Sequence, residues 1–205
     1  MQAVIFDMDG TLIDSEPMWK EAEKKVFSSV GVNVSEELSI NTASMTTTEV
    51  THFWYNHYPW SGKSLKQVEN EVIDGVEILI SEKGKPMVGV KEILDFFYNR
   101  EIKIGLSTNA PYRLISVVLN KLGISDYFDA ISSSEQELKG KPDPAVYLST
   151  IKKLKVSPSR CIAFEDSLSG IVAAKKANMK IVAIPPSLEF TSKKFDISDL
   201  RLKAL

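Results

Sequence analysis

The chain has 205 residues, too many for a minimal domain and few for two large ones, so a single core carrying an insertion is expected. Its 25 Lys and Arg nearly balance 27 Asp and Glu for a formal net charge of −2, which removes the electrostatic case for nucleic acid or an anionic membrane and favours a small soluble partner. Cys161 is the only cysteine, which excludes an internal disulfide, and no early apolar run has the length of a signal peptide or membrane span, so a cytoplasmic location is expected.

Ala3-Val4-Ile5-Phe6 is a continuous apolar run that stops at Asp7, the pattern of a strand buried on both faces. The next residues, Asp7-Met8-Asp9-Gly10-Thr11, hold two carboxylates one residue apart and a glycine that permits a sharp turn. One carboxylate could attack a ligand while the other moves a proton; an ordinary acidic turn is the plainer alternative. An EF-hand is a poorer reading still, because the glycine comes too early and no glutamate closes a twelve-residue loop.

From Ser15 the pattern turns helical, with Ser15 as N-cap, Pro17 in the first turn, apolar Met18, Ala22 and Val26, and Gly31 as the stop. A second helix is predicted from Ser64 to Gly84. Ser64 and Gln67 have capping-box spacing, and Leu65, Val68, Val72, Val76 and Leu79 form an apolar stripe. Nothing between residues 15 and 80 reads as a strand. His52 and His57 are five apart, off the spacing that puts two metal ligands on one helix face.

After Gly84-Lys85-Pro86 short apolar runs alternate with helical patterns: Ile102 to Leu106, Leu114 to Leu122, Cys161 to Phe164, Ile171 to Ala177, and Ile181 to Ile184. This is the signature of βαβ units and a parallel sheet. The expected fold is α/β, a doubly wound parallel sheet built from residues 1–14 and 83–205, with a helical cap at 15–82. The tail from Ser187 to Leu205 is placed only loosely. Cys161 lies within an apolar strand and reads as a buried small side chain.

Three more polar groupings fall where strands end, the ligand-binding edge of an open parallel sheet. Ser107-Thr108-Asn109 precedes a helix beginning near Pro111, where hydroxyls and free N–H groups suit a phosphate oxygen or simply cap the helix. Lys141, between Gly140 and Pro142-Asp143-Pro144, sits on a loop from which an ammonium could neutralise a phosphate and a carboxylate. Glu165-Asp166-Ser167 places adjacent acids after an apolar strand; they suit a bound Mg2+, or Asp166 or Ser167 caps the following helix.

In order, Asp7-x-Asp9-Gly-Thr, the hydroxyl at Thr108, Lys141 and Glu165-Asp166 resemble the four motifs of the haloacid dehalogenase superfamily. The contexts Gly140-Lys141-Pro142-Asp143-Pro144 and Glu165-Asp166-Ser167 resemble its β-phosphoglucomutase-like branch, and Ser15-Glu16-Pro17-Met18-Trp19, Phe53-Trp54-Tyr55 and Pro59-Trp60 resemble its bacterial hexitol and 2-deoxyglucose-6-phosphate phosphatases. The resemblance implies a Mg2+-dependent phosphatase of sugar or sugar-alcohol phosphates, monomeric, with Asp7 as nucleophile and Asp9 as general acid and then base. It also implies that Asp7, the Asp9 carbonyl and Asp166 hold the metal, that Glu165 does so directly or through water, that Thr108 and Asn109 hold phosphoryl oxygens, and that Lys141 balances their charge. The cap would close over the site, with Trp19 the preferred candidate for its inner surface and Trp54 more plausibly part of the cap's own core. Ser44-Met45-Thr46 departs from the branch's usual cap glycine followed by a basic residue or proline, which leaves the sugar unassigned. The same resemblance admits a sugar phosphomutase, against which Thr11 and Trp19 stand where mutases tend to have valine and histidine, and a non-catalytic phosphate-binding protein on the same scaffold.

Overall fold

The first strand, β1 (Ala3–Phe6), is buried at every residue and splits its side chains between two cores, Val4 and Phe6 to one face, Ala3 and Ile5 to the other. A computed structural model describes all residues from 1 to 205. After β1 come four helices, α1 (Glu16–Ser29), the short α2 (Glu36–Ser39), α3 (Thr47–His57) and α4 (Leu65–Lys83). Then α5 (Val90–Tyr98), β2 (Lys103–Thr108), α6 (Tyr112–Leu122), β3 (Ala130–Ser133), α7 (Ala145–Leu154), β4 (Cys161–Glu165), α8 (Leu168–Lys176), β5 (Lys180–Ala183) and β6 (Leu200–Arg201) complete the chain.

The six strands form one parallel sheet in the order β3-β2-β1-β4-β5-β6. Connections leave β1 towards β2 and β3 on one side and continue from β4 to β6 on the other, so the order reverses beside β1. Helices α5 and α6 contribute to the core on the Val4 and Phe6 face, and α7 and α8 to the core on the opposite face. Phe6 stacks on Phe164 at 4.7 Å between centroids, with Phe97 tilted against Phe6 and edge-on to Phe164, a group that fixes β1 beside β4 just below the strand ends. Gly105 lets α7 approach β2, since a Cβ there would lie 2.7 Å from Thr150 Cγ2.

Helices α1 to α4 lie between β1 and α5 in the chain. Helix α4 carries the capping box read from Ser64 and Gln67, and buries Val68, Val72 and Val76. Its two connections to the sheet run side by side: Asp14 N–H donates to the Lys85 carbonyl, and Met87 N–H donates to that of Leu12. Trp54 is wholly buried and Trp60 nearly so, both against Phe27. His52 and His57 are exposed, and Cys161 is buried. The tail forms β6 and buries Phe195 against α8's side of the sheet. No helix is long and apolar enough to cross a membrane.

Candidate active site

Strand β1 delivers Asp7 one residue beyond Phe6, where the Asp7 N–H still donates to the Phe164 carbonyl of β4. The chain then turns at Gly10, whose φ of +75° is disfavoured for other residues. A Cβ at Gly10 would also lie 2.2 Å from Asp166 Oδ2, so only glycine lets this loop approach the end of β4. Thr11 Oγ1 donates to Asp166 Oδ1 at 3.5 Å.

Asp7, Glu165 and Asp166 each bring a carboxylate oxygen within 4.8 Å of the others. Lys141 reaches them from the loop after β3. Its buried ammonium donates to Asp7 Oδ1 at 2.5 Å, Glu165 Oε1 at 2.6 Å and the Ser107 carbonyl at 2.8 Å, which uses all three of its donors. Burial opposes the charge on Lys141, but Asp7 and Glu165 more than offset it and hold it protonated. Burial raises the Asp7 carboxyl well above its ordinary value, with Lys141 opposing and Glu165, Asp166 and Asp9 adding to the rise. Asp166 is pushed to about 8, first by burial and then by the charge of Glu165.

Asp9 is treated differently. Ser15 Oγ donates to its Oδ1 at 2.5 Å and Trp19 Nε1 donates to the same oxygen at 2.9 Å, so both neutral donors converge on one oxygen. Burial raises the Asp9 carboxyl, with Ser15, Trp19, Lys141 and Thr108 each opposing. Ser15 stands at the N-cap position of α1 but makes no capping bond: its backbone is helical rather than extended, and its hydroxyl is directed to Asp9.

Strand alternation separates the two hydroxyls of Ser107-Thr108. Thr108 is the one placed with Asp9. The Ser107 side chain is turned to the opposite face, where it bonds Thr150 Oγ1 at 2.7 Å and the Val146 carbonyl, so its expected phosphate contact is corrected: only its main-chain carbonyl, bound to Lys141, belongs to the site. The Asn109 side chain is likewise engaged, accepting from Lys141 N–H at 2.8 Å and Ser134 Oγ at 2.6 Å.

Glu165 is wholly buried, and both of its oxygens are taken: Oε1 accepts from Lys141 and, at 2.5 Å, from Tyr147 Oη, while Oε2 accepts from Ser167 Oγ. Its carboxylate lies over the first turn of α8, where a Cβ on Gly170 would sit 1.9 Å from Oε1 and where the helix dipole favours an anion. Tyr147 was not singled out from the sequence, where it reads as one more apolar member of α7. Its hydroxyl and its ring, 5.0 Å from Lys141 Nζ, close the inner side of the cluster.

Glu23, one helical turn after Trp19 on α1, is half-buried and has no hydrogen-bond partner; burial alone raises its carboxyl from 4.5 to about 7. Its contribution to stability is full below about pH 4.5, where folded and unfolded chains both hold the proton, and is lost as pH rises through about 7. Glu23→Gln is therefore expected to match the wild type in thermal unfolding at pH 4 and exceed it at pH 8, by less than about 3 kcal/mol because the side chain is partly solvated. Equal stability of the two at both pH values would contradict this.

The family model for haloacid dehalogenase-like hydrolases matches residues 4–184. Hexitol phosphatase B of Escherichia coli (strain K12) is 36% identical over 204 residues, covering 99% of this chain and 92% of that protein. The phosphorylated carbohydrates phosphatase of Thermotoga maritima is 36% identical over 180 residues, covering 88% of this chain and 83% of its own. Among solved structures, β-phosphoglucomutase from Clostridium difficile superposes with a TM-score of 0.86 at 27% identity, over 100% of this chain and 91% of that one. With the sheet order, the strand-end acids and near full-length similarity in agreement, the chain belongs to the haloacid dehalogenase-like hydrolase family.

Proposed function

We propose that this chain, a phosphoric monoester hydrolase of its family, releases phosphate from small phosphorylated carbohydrates such as hexitol and hexose phosphates, through a phosphoryl group carried on Asp7. The observation that carries the reading is the difference in setting between two acids: Asp7 Oδ1 accepts from the Lys141 ammonium, while Asp9 Oδ1 accepts from the neutral donors Ser15 and Trp19, which suits Asp7 to attack and Asp9 to proton transfer.

In the first step Asp7 Oδ2 attacks phosphorus in line, the bond from phosphorus to the sugar oxygen breaks, and Asp9 gives that oxygen its proton. In the second, Asp9 takes a proton from water, the water oxygen bonds to phosphorus, and the bond to Asp7 breaks, which regenerates both acids. The raised carboxyl of Asp9 suits the protonated start that this sequence needs. Lys141 offsets the charge of Asp7 and of the transferring group, Thr108 and the Asn109 main-chain N–H hold its oxygens, and Glu165 with Tyr147 keeps Lys141 in place. We assign residues 15–82 to a cap over the catalytic core of 1–14 and 83–205, which keeps bulk water from the reaction.

The residues fit a divalent cation. Asp7, Glu165 and Asp166 crowd together with one lysine among them, and burial and mutual repulsion raise Asp7 and Asp166. Asp7, the Asp9 carbonyl and Asp166 would hold Mg2+, with Glu165 acting from behind them because both its oxygens are engaged. Bound there, the ion would neutralise developing charge on phosphoryl oxygens. Adding Mg2+ is expected to raise the thermal midpoint of the wild type and leave that of Asp166→Asn unmoved, while EDTA abolishes activity reversibly. Full activity in EDTA would overturn the assignment.

The activity is tested by phosphate release from hexitol, hexose, 2-deoxyglucose and glycerol phosphates with and without Mg2+. Release that ranks the six-carbon substrates first supports the reading. Isomerised sugar phosphate without release would favour the mutase.

A further inference from the structure

We propose that Asn109 is a positioning residue that couples closure of segment 15–82 to the placement of Lys141, so that the lysine is fully held only when the segment is shut over the site. The proposal rests on the phosphatase reading above and adds to it a route by which closure reaches the chemistry.

Asn109 uses all four valences of its amide. Oδ1 accepts from the Lys141 N–H at 2.8 Å and from Ser134 Oγ at 2.6 Å; Nδ2 donates to the Lys141 carbonyl at 3.5 Å and to the Ser44 carbonyl at 3.2 Å. The donors and acceptors around it fix which way the amide faces, because a flipped group would point N–H at N–H and oxygen at two carbonyls. Three of the four partners belong to the sheet core and its loops, two of them on Lys141 itself. The fourth, Ser44, lies in the helical segment, 65 residues away in sequence. Opening the segment would therefore strip one partner from the amide that grips the Lys141 main chain on both sides.

A second contact lies beside it. A Cβ on Gly140 would come 2.6 Å from Thr46 Cγ2 and 3.0 Å from Asn109 Oδ1, so glycine is needed for the loop before Lys141 and the loop before α3 to meet. Thr46 is itself fixed, as the N-cap of α3 in a capping box with Glu49. The three residues Ser44-Met45-Thr46 thus present a main-chain carbonyl and a methyl group to the Lys141 loop. A contact through a main-chain carbonyl makes few demands on the side chain at position 44.

The test compares wild type, Gly140→Ala, Thr46→Ser and the double variant, with Asn109→Asp beside them, in phosphate release from glucitol 6-phosphate with Mg2+. Thr46→Ser keeps the capping hydroxyl and removes only the methyl, and is expected to behave as wild type. Gly140→Ala is expected to lose about tenfold in kcat/KM. The double variant should recover at least about threefold of it, the rest reflecting the contact with Asn109 Oδ1. Asn109→Asp keeps both acceptor bonds but turns an anion towards the Ser44 and Lys141 carbonyls; it should lower kcat as well as raise KM with little change in thermal midpoint. Amide hydrogen exchange at Lys141 in the unliganded variants gives an arm independent of turnover: faster in Gly140→Ala and slowed again by Thr46→Ser. No rescue by Thr46→Ser in either arm, or Asn109→Asp with wild-type kcat and KM, overturns the coupling. A wild type that exchanges as expected but releases no phosphate would instead remove the phosphatase reading.

Discussion

Asp7→Asn is expected to lower phosphate release by at least about four orders of magnitude, ~5.5 kcal/mol of barrier, while leaving the chain folded. The amide nitrogen and oxygen fill the same space as the two carboxylate oxygens, but neither attacks phosphorus as a carboxylate does, so the covalent route is closed. The fold should tolerate the change because the site is over-supplied with negative charge. Burial already raises the Asp7 carboxyl well above its ordinary value, and Glu165, Asp166 and Asp9 push it further. Removing one anion relieves that repulsion, while Lys141 keeps Glu165 and the Ser107 carbonyl as partners. Phosphate assays beside calorimetry check both halves: a lost rate with a thermal midpoint equal to or above wild type. A variant that keeps a tenth of the activity would show that Asp7 is not the nucleophile.

Asp9→Asn should cost about two to four orders of magnitude, with a dependence on the leaving group that Asp7→Asn lacks. An asparagine can still accept from Ser15 and Trp19, so the loop geometry should persist. What disappears is the proton that Oδ2 delivers to the departing sugar oxygen and later takes from water. A phosphate ester with a good leaving group, such as 4-nitrophenyl phosphate, needs no such proton in the first step. With that substrate the variant should phosphorylate itself readily and then stall, giving a burst of nitrophenol followed by slow turnover. Equal losses with alkyl and aryl esters and no burst would contradict the role given to Asp9.

The parallel sheet was legible because strands buried on both faces read as unbroken apolar runs, as in Ala3 to Phe6 and Cys161 to Phe164, each ending abruptly in a carboxylate. The same abruptness exposed Asp7 and Glu165-Asp166. Helix α4 was legible from its capping box and stripe. Other elements gave no such signal. Strand β3 has only four residues, half of them serine, and α5 starts from Gly89, which has no side chain to cap it. Within the site, the misplacement of Ser107 was avoidable, since adjacent residues of a strand point to opposite faces. Ser15 and Tyr147 were not recoverable in the same way. A serine before a helix is ordinarily its cap, and a tyrosine amid Val146 and Ile151 is ordinarily core; each acts here through a partner that only the tertiary structure supplies, Asp9 for one and Glu165 for the other. Glu23 is similar: its unpartnered, half-buried setting has no signature in a sequence of alternating charges.

The central claim is the phosphoryl group on Asp7, and acid quenching of the enzyme during turnover of a 32P-labelled hexitol phosphate tests it most directly. The account predicts label on the peptide containing Asp7 in the wild type and none in Asp7→Asn. Steady phosphate release by the wild type with no label on that peptide, or equal labelling of Asp7→Asn, would contradict it.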